Sequence, residues 1–481
     1  LLNIKPYKGW VRCEASDNQQ SAISNPLSPA ICIEKGRPMP RHPLTRREFL
    51  TAGVTLVGAA ASVPTFLTHT AWAMSDPDSA VQSKPGVPDE RILVVIQLSG
   101  GNDGLNTLVP YRWDEYYKSR PAIAVPRDQV LRLTSAAEVG LHPSMSALKA
   151  MFDDGRCAIV QGVGYPNPNR SHFASMDIWH TGDALHGAGG GRGVGWIGQA
   201  LDQAALPDGR AEPCACVSIG DEIPLATVGK SVKPIAFARA NLFRWFGGDL
   251  HPRLATEYDR LNRAGVLDDS ASMPSPGVTR QPQTIRPGSA AAFVQRTALD
   301  AQLASDRVRD AVQGQTVTNF PGGALAGQLR TVALMIKAQM PTRVYYVALG
   351  GFDTHAGQTN RQPNLLREFA AAVQAFHHEL KAQGQEQRVL TLAFSEFGRR
   401  VQQNASNGTD HGTAGPVFLL GPMVRPGLLG EYPSLNQLDQ GDLIHTADFR
   451  SLYATILSRW LQADPTPILG QRFREADILR V

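Results

Sequence analysis

The chain is predicted to be an α/β protein, a mostly parallel sheet sandwiched by helices, from three observations. Residues 92–98, reading ILVVIQL, are near-continuously apolar and β-branched, the pattern of a strand buried on both faces. Val344 to Leu349 and Val389 to Phe394 repeat that pattern. Helical stretches alternate with these runs, the arrangement that builds parallel sheets. The 481 residues, 42% hydrophobic and 19% charged, suffice for one large domain or two smaller ones with a sizeable core.

The N-terminal region reads as a targeting segment. Thr45-Arg46-Arg47-Glu48-Phe49-Leu50 is a twin-arginine signal, and a short Ala/Gly/Thr-rich run interrupted by Pro64 follows it to Leu67. Ala71-Trp72-Ala73 supplies a small-x-small cleavage site, so cleavage is favoured over a membrane anchor. Met39 is a natural start, which makes residues 1–38 an over-extended gene start and 39–73 the signal peptide. The expected partner is the twin-arginine export machinery and the expected destination the bacterial periplasm or exterior, reached already folded. No later stretch is long and apolar enough for a stable membrane span in the mature chain.

Residues 1–73 carry eight Lys/Arg and four Asp/Glu, leaving 39 of each sign from totals of 47 and 43. A formally neutral mature chain without a basic stripe gives no reason to expect nucleic acid as a partner. Cys13 and Cys32 precede the signal; Cys157, Cys214 and Cys216 make an odd count with no disulfide framework.

From residue 91 onward a single α/β domain is expected, after a Pro-rich linker at 74–90. The strand at 92–98 runs into Ser99-Gly100-Gly101-Asn102-Asp103-Gly104, where glycines let the backbone turn tightly and approach a ligand, or simply turn. A short helix at 142–152 precedes a second strand at 157–163. Ser171 then opens a helical pattern (Phe173, Met176, Ile178, Trp179), either as an N-cap or as a hydroxyl activated by the helix dipole. The glycine-dense 187–198 segment follows a helix, not a strand, and fails the context of a dinucleotide fingerprint. Residues 213–340 are expected to form an inserted or capping region with helices at 290–313 and 322–339. The strand at 344–349 ends at Gly350-Gly351-Phe352-Asp353-Thr354-His355. A helix at 365–383 leads to the strand at 389–394, which stops at Ser395-Glu396-Phe397-Gly398. A polar loop then delivers Asp410 and His411, followed by a short strand at 417–420 and a closing amphipathic helix at 449–461.

Three strands thus end in acids, Asp103, Asp353 and Glu396, with His355, Asp410 and His411 close behind. Parallel strands bring their carboxyl ends to one edge. Carboxylates crowded there repel each other, and a bound dication relieves the repulsion. Mixed Asp/Glu/His ligation suits Zn, Mn, Mg or Ca. The competing reading is that these acids cap helices or pair with Arg170, Arg399 or Arg400.

QLSGGNDGLNTLVPY, NRSHFASMDIW, GGFDTH, FSEFGRR and TDHGTAGPVFLLG resemble, in order and across the mature chain, the exported bacterial family catalogued as domain of unknown function fifteen-oh-one. That family is similar to the alkaline phosphatase and sulfatase superfamily. The resemblance implies an alkaline-phosphatase-like sandwich with its site at the strand ends. It implies Asp103 as the first-strand metal ligand and Ser171 near the nucleophile position. Asp353 and His355 would hold one metal, Glu396 would take the place of an Asp, and His411 would be the last metal-binding histidine. Phe397 stands where a histidine is expected, so a second metal lacks one ligand unless Asp410 restores it. His445 and His172 are spare candidates, better explained as ordinary loop histidines. The resulting expectation is a metal-dependent hydrolase of a phosphate or sulfate ester; the alternative is a non-catalytic exported binding or assembly protein on a degenerate hydrolase scaffold.

Overall fold

Strand β1, Ile92–Leu98, is buried along almost its whole length because it is flanked on both edges and covered on both faces. Successive side chains of a strand point to opposite faces. Ile92, Val94 and Ile96 accordingly join one core and Leu93 and Val95 the other. Each such fully buried aliphatic side chain contributes about 1.5–3 kcal/mol. The first core is closed by helices α1 (Ser146–Asp153), α4 (Ala324–Lys337) and α5 (Gln358–Ala382). The second is closed by α2 (His172–Thr181), α3 (Trp196–Gln203) and α6 (Phe449–Thr455), whose chain continues as a π-helical turn to Leu461. Helices on both faces of one sheet make a three-layer α/β sandwich.

The remaining strands of this sheet are β2 (Cys157–Gly164), β3 (Cys216–Ile219), β4 (Ile235–Phe237), β5 (Val344–Leu349), β6 (Val389–Phe394), β7 (Gly415–Leu420), β8 (Gly427–Leu429) and β9 (Ala447–Asp448). Their order is β8-β2-β7-β6-β1-β5-β3-β4, with β9 pairing β2. Strand β1 lies parallel to β5 and to β6, with Ile96 beside Val347 and Ala393. Strand β7 runs antiparallel to both β2 and β6. The predicted mostly parallel α/β sheet is therefore present. Its order sets the carboxyl ends of β6, β1 and β5 side by side, so the loops carrying Glu396, Asp103 and Asp353 are neighbours.

The computed structural model describes residues 91–133, 138–183, 193–204, 214–232, 234–243 and 304–481, with isolated positions between 251 and 256, all within one compact unit. The twin-arginine signal, its cleavage site, the linker and residues 187–192 of the glycine-dense loop lie outside the described residues, as do Cys13, Cys32, the 274–287 connection and residues 290–303 of the first expected helix.

The expected insertion over 213–340 needs correction at both ends. Strands β3 and β4 extend the central sheet, β3 pairing in parallel with β5. Helix α4 buries Leu325, Leu329, Val332 and Ile336 in the first core, so it is a layer of the sandwich and not a cap. Short strands set among loops carry too little periodicity to be separated from a cap by pattern alone. Cys157, Cys214 and Cys216 are buried, and no disulfide joins them. No helix among the described residues is long and apolar enough to cross a membrane.

Candidate metal centre

Three loops meet at the carboxyl edge of the sheet, and one buried side chain ties them together. Arg399 is 1% exposed. It donates to the carbonyls of Gly100, Gly101 (2.6 Å), Phe352 (3.1 Å) and Thr409 (2.8 Å), and to Asp353 Oδ1 (2.7 Å). The Gly-Gly step after β1 is what allows this closeness. Gly100 has φ +117°, and a Cβ there would stand 2.4 Å from the Asp353 nitrogen. The expected close approach is to a neighbouring loop of the chain itself.

After β6 the chain folds back on itself like a short hairpin. Arg399 and His411 form an antiparallel bridge, and Arg400 N–H bonds the Asp410 carbonyl (3.0 Å). This return carries Asp410 and His411 from a polar loop to the mouth of the site. From the other side comes the first turn of α2. Ser175 Oγ donates to the Glu396 carbonyl (2.5 Å), which fixes that helix against the end of β6 and brings His172 inward.

Three imidazoles converge here, each held by its Nδ1. His172 Nδ1 lies 2.8 Å from Glu396 Oε1, His355 Nδ1 3.1 Å from Asp410 Oδ1, and His411 Nδ1 2.7 Å from the Arg170 carbonyl. All three partners are acceptors, so each Nδ1 donates and each ring turns its Nε2 to the centre. The Nε2 atoms face Asp353 Oδ1, at 3.7 Å from His172, 3.1 Å from His355 and 3.4 Å from His411. The Nε2 atoms of His355 and His411 are only 2.9 Å apart, and His172 Nε2 is buried without a hydrogen-bond partner. Three Nε2 atoms gathered about one carboxylate oxygen make a donor set of the kind that holds a divalent cation. His172, Asp353 and His411 form a group able to hold a metal ion, and His355 adjoins it.

Charge agrees with geometry. Burial acts to raise the Glu396 pKa, but hydrogen bonds from His172, from backbone N–H groups including that of Gly100 and from Ser395 hold it below the usual range. Asp353 is likewise held low, Arg399 outweighing its partial burial, and Asp410 is held low chiefly by Asn404. Burial pushes the His411 pKa down, while the bond to Glu396 raises that of His172. Asp353, Glu396 and Asp410 bring three carboxylates to the site, with the Arg399 guanidinium on Asp353 and Arg400 near Asp410.

The predicted residues thus divide. Asp353, His355, Asp410, His411 and Glu396 are brought together, Asp353 and the histidines directly and the other two behind them. Asp103 is not among them. It is 1% exposed, caps a short turn at Gly104–Thr107, pairs with the buried Arg120 (2.5 Å) and accepts from Gln358. No oxygen of Asp103 is offered to the histidines, because its carboxylate is already engaged by a counter-charge and by backbone N–H groups. Ser171 occupies the N-cap position of α2, but its side chain makes no capping bond and it is exposed. It stands between Arg170, whose carbonyl orients His411, and His172. Phe397, in the place of an expected histidine, packs its ring against His172 and His411 at 4.9 Å. His445 lines a cavity of about 130 Å³ beside Arg170 and Phe397. His172 belongs to the site although its sequence setting, one histidine at a helix start, gives no ligand signal; only its position beside Ser171 pointed that way.

Residues 279–468 match the family described as "Protein of unknown function (DUF1501)", a stretch that contains GGFDTH, FSEFGRR and TDHGTAGPVFLLG. The resemblance read from those motifs is therefore borne out. No curated protein matches the chain. Among solved structures, the chain is similar to the PsFucS1 sulfatase from Pseudoalteromonas sp., at 9% identity over 81% of this chain and 71% of that one, TM-score 0.35. It is similar to a protein in the alkaline phosphatase superfamily from Vibrio parahaemolyticus, at 8% identity over 85% and 78%, TM-score 0.33. It is also similar to the phosphonate monoester hydrolase SpPMH from Silicibacter pomeroyi, at 12% identity over 80% and 77%, TM-score 0.26. Likeness of this degree leaves the chemistry to be read from the chain's own residues.

Proposed function

We propose that this chain is an exported, metal-dependent hydrolase of a phosphate or sulfate ester, with one divalent ion held by His172, Asp353, His355 and His411. The observation that carries the reading is the common orientation of the three rings. Glu396, Asp410 and the Arg170 carbonyl each hold one Nδ1–H, the outer-shell arrangement that orients and strengthens histidine ligands. The buried, unpartnered Nε2 of His172 is the atom such an ion would satisfy. Three imidazoles with one carboxylate favour a transition ion, Zn or Mn, over Mg or Ca, which prefer oxygen donors. A dication there supplies Lewis-acid stabilisation of charge on an ester oxygen.

The chain's own residues do the rest. Arg399 fixes Asp353 and neutralises part of the carboxylate charge that would repel an anionic substrate. Asp353 and His355 are nearly half-exposed, so a bulky ester reaches the centre. Ser171 is the proposed nucleophile: its Oγ bonds to phosphorus or sulfur, the ester bond to the leaving oxygen breaks, and the hydroxyl proton ends on the released alcohol. Water then displaces Ser171 and frees inorganic phosphate or sulfate. Export through the twin-arginine route rests on the Thr45–Leu50 motif and fits an ion inserted before transport.

Ser171→Ala is expected to lower turnover of p-nitrophenyl phosphate or sulfate by about a thousandfold or more while leaving metal content unchanged. Equal turnover by the variant, with the wild-type chain active, rules Ser171 out as nucleophile.

A further inference from the structure

A second pocket has Gln358 and Gln362 of the Asp103 network in its wall and none of the residues proposed to hold the ion. It has a volume of about 560 Å³ and is bounded by the loop at 120–126, the turn at Pro143–Met145 and the first turns of α5. That volume falls within the range of roughly 300–1,000 Å³ usual for small-molecule sites. We propose that this pocket binds a small carboxylate with an apolar body, its anionic end between His142 and Arg367 and its body against Ile123 and Val125.

The lining is sorted by chemistry. Ile123 and Val125 are buried and present an apolar wall. Gln358 and Gln362 are also buried, but their amide groups are committed to Asp103, to each other and to neighbouring hydroxyls, so they offer an incoming ligand little. His142 differs. It is 7% exposed, and its Nδ1 accepts the Ser144 N–H (3.1 Å), which places the proton of the neutral ring on Nε2. That Nε2 makes no hydrogen bond among the described residues and belongs to a side chain lining the pocket. Burial, with the nearby Arg367 charge, pushes the His142 pKa down to about 4, so the ring stays a neutral donor near pH 7.

Arg367 supplies the charge. Its guanidinium donates to Asn364 Oδ1 (2.7 Å) and approaches Ser144 Oγ (3.4 Å), and no carboxylate pairs with it among the described residues. The pocket lining contains no Asp or Glu. A guanidinium without an anion, a neutral N–H donor beside it and an apolar wall opposite together describe a monocarboxylate. A cation has no acceptor charge to meet there, and a neutral amide leaves the guanidinium unused.

The test is ligand-observed fluorine NMR on the purified chain, with 4-fluorobenzoate and its uncharged counterpart 4-fluorobenzamide. Saturable binding of 4-fluorobenzoate is expected, weakened about tenfold by Arg367→Gln and unchanged by Arg361→Gln, an exposed arginine of the same helix outside the pocket. The amide is expected to bind at least about tenfold more weakly. Arg367 is exposed, so its replacement leaves the core intact. Binding must also survive His172→Ala, which disables the proposed metal centre without touching this pocket. No saturable binding up to about 20 mM overturns the proposal. So does equal binding of the amide, indifference to Arg367→Gln, or loss of binding in His172→Ala.

Discussion

Asp103→Ala is expected to lower the stability of the chain by about 3–5 kcal/mol, because it leaves the guanidinium of Arg120 buried without its counter-charge. Arg120 is 0% exposed, and its other partners are the carbonyls of Val401 and Arg400 and the side chain of Asn106, none of them charged. The same change removes the oxygen that accepts the Leu105 and Asn106 N–H groups, a further loss of about 1 kcal/mol. Asp103→Asn keeps an acceptor for those groups and is expected to be milder. Denaturant unfolding with an unchanged slope reads the difference. If Asp103 were instead a metal ligand, the alanine variant would remain stable and lose its metal. The reverse is expected: the metal stays in whatever fraction folds.

Arg399→Met carries the other large effect, on the order of 4 kcal/mol or more. It strands the Gly100, Gly101, Phe352 and Thr409 carbonyls, and each buried polar group left unsatisfied costs about 1–3 kcal/mol. Lysine is no substitute, since three donors on one nitrogen cannot reproduce the planar guanidinium fork. The loss is specific in place. With Arg399 gone, Asp353 is released and the 395–412 return is no longer pinned to the end of β1. Calorimetry should therefore show a large drop in melting temperature for Arg399→Lys as well as for Arg399→Met. A lysine variant of wild-type stability would mean that the clamp does not hold the three loops.

Much of the fold was legible, for a plain reason. The runs at 92–98, 344–349 and 389–394 are buried on both faces, so their apolar character is unbroken and their type is clear. Their adjacency followed from the parallel α/β pattern, and with it the meeting of the loops behind Asp353 and Glu396. What was not legible is which way each carboxylate points. Asp103 and Glu396 both follow a strand within a few residues, yet Asp103 turns back to Arg120 while Glu396 supports His172 from behind. That distinction depends on a counter-charge 17 residues away and on a histidine 224 residues away, partners that spacing does not reveal. His172 was passed over for a related reason. A ligand histidine becomes recognisable through the group on its other ring nitrogen, and for His172 that group comes from the distant loop that follows β6. The two short strands β3 and β4 were hidden among loops and read as a cap, although they complete the sheet beside β5.

A single ion at the three histidines would also set this site apart from a two-metal arrangement. With Asp103 withdrawn and Phe397 packed against the rings of His172 and His411, the donor atoms that converge suit one ion and not two. Hydrolysis of an ester is the chemistry proposed for it, but occupancy by a metal comes first.

The measurement that bears on this most directly is the metal content of the natively exported chain, purified without chelator, for the wild type beside His172→Ala. The expected result is about one equivalent of a divalent transition ion in the wild type, and at least about a hundredfold weaker retention in a folded His172→Ala variant. A folded wild-type chain that carries no ion and takes up none from added Zn or Mn contradicts it, and so does full retention by the variant.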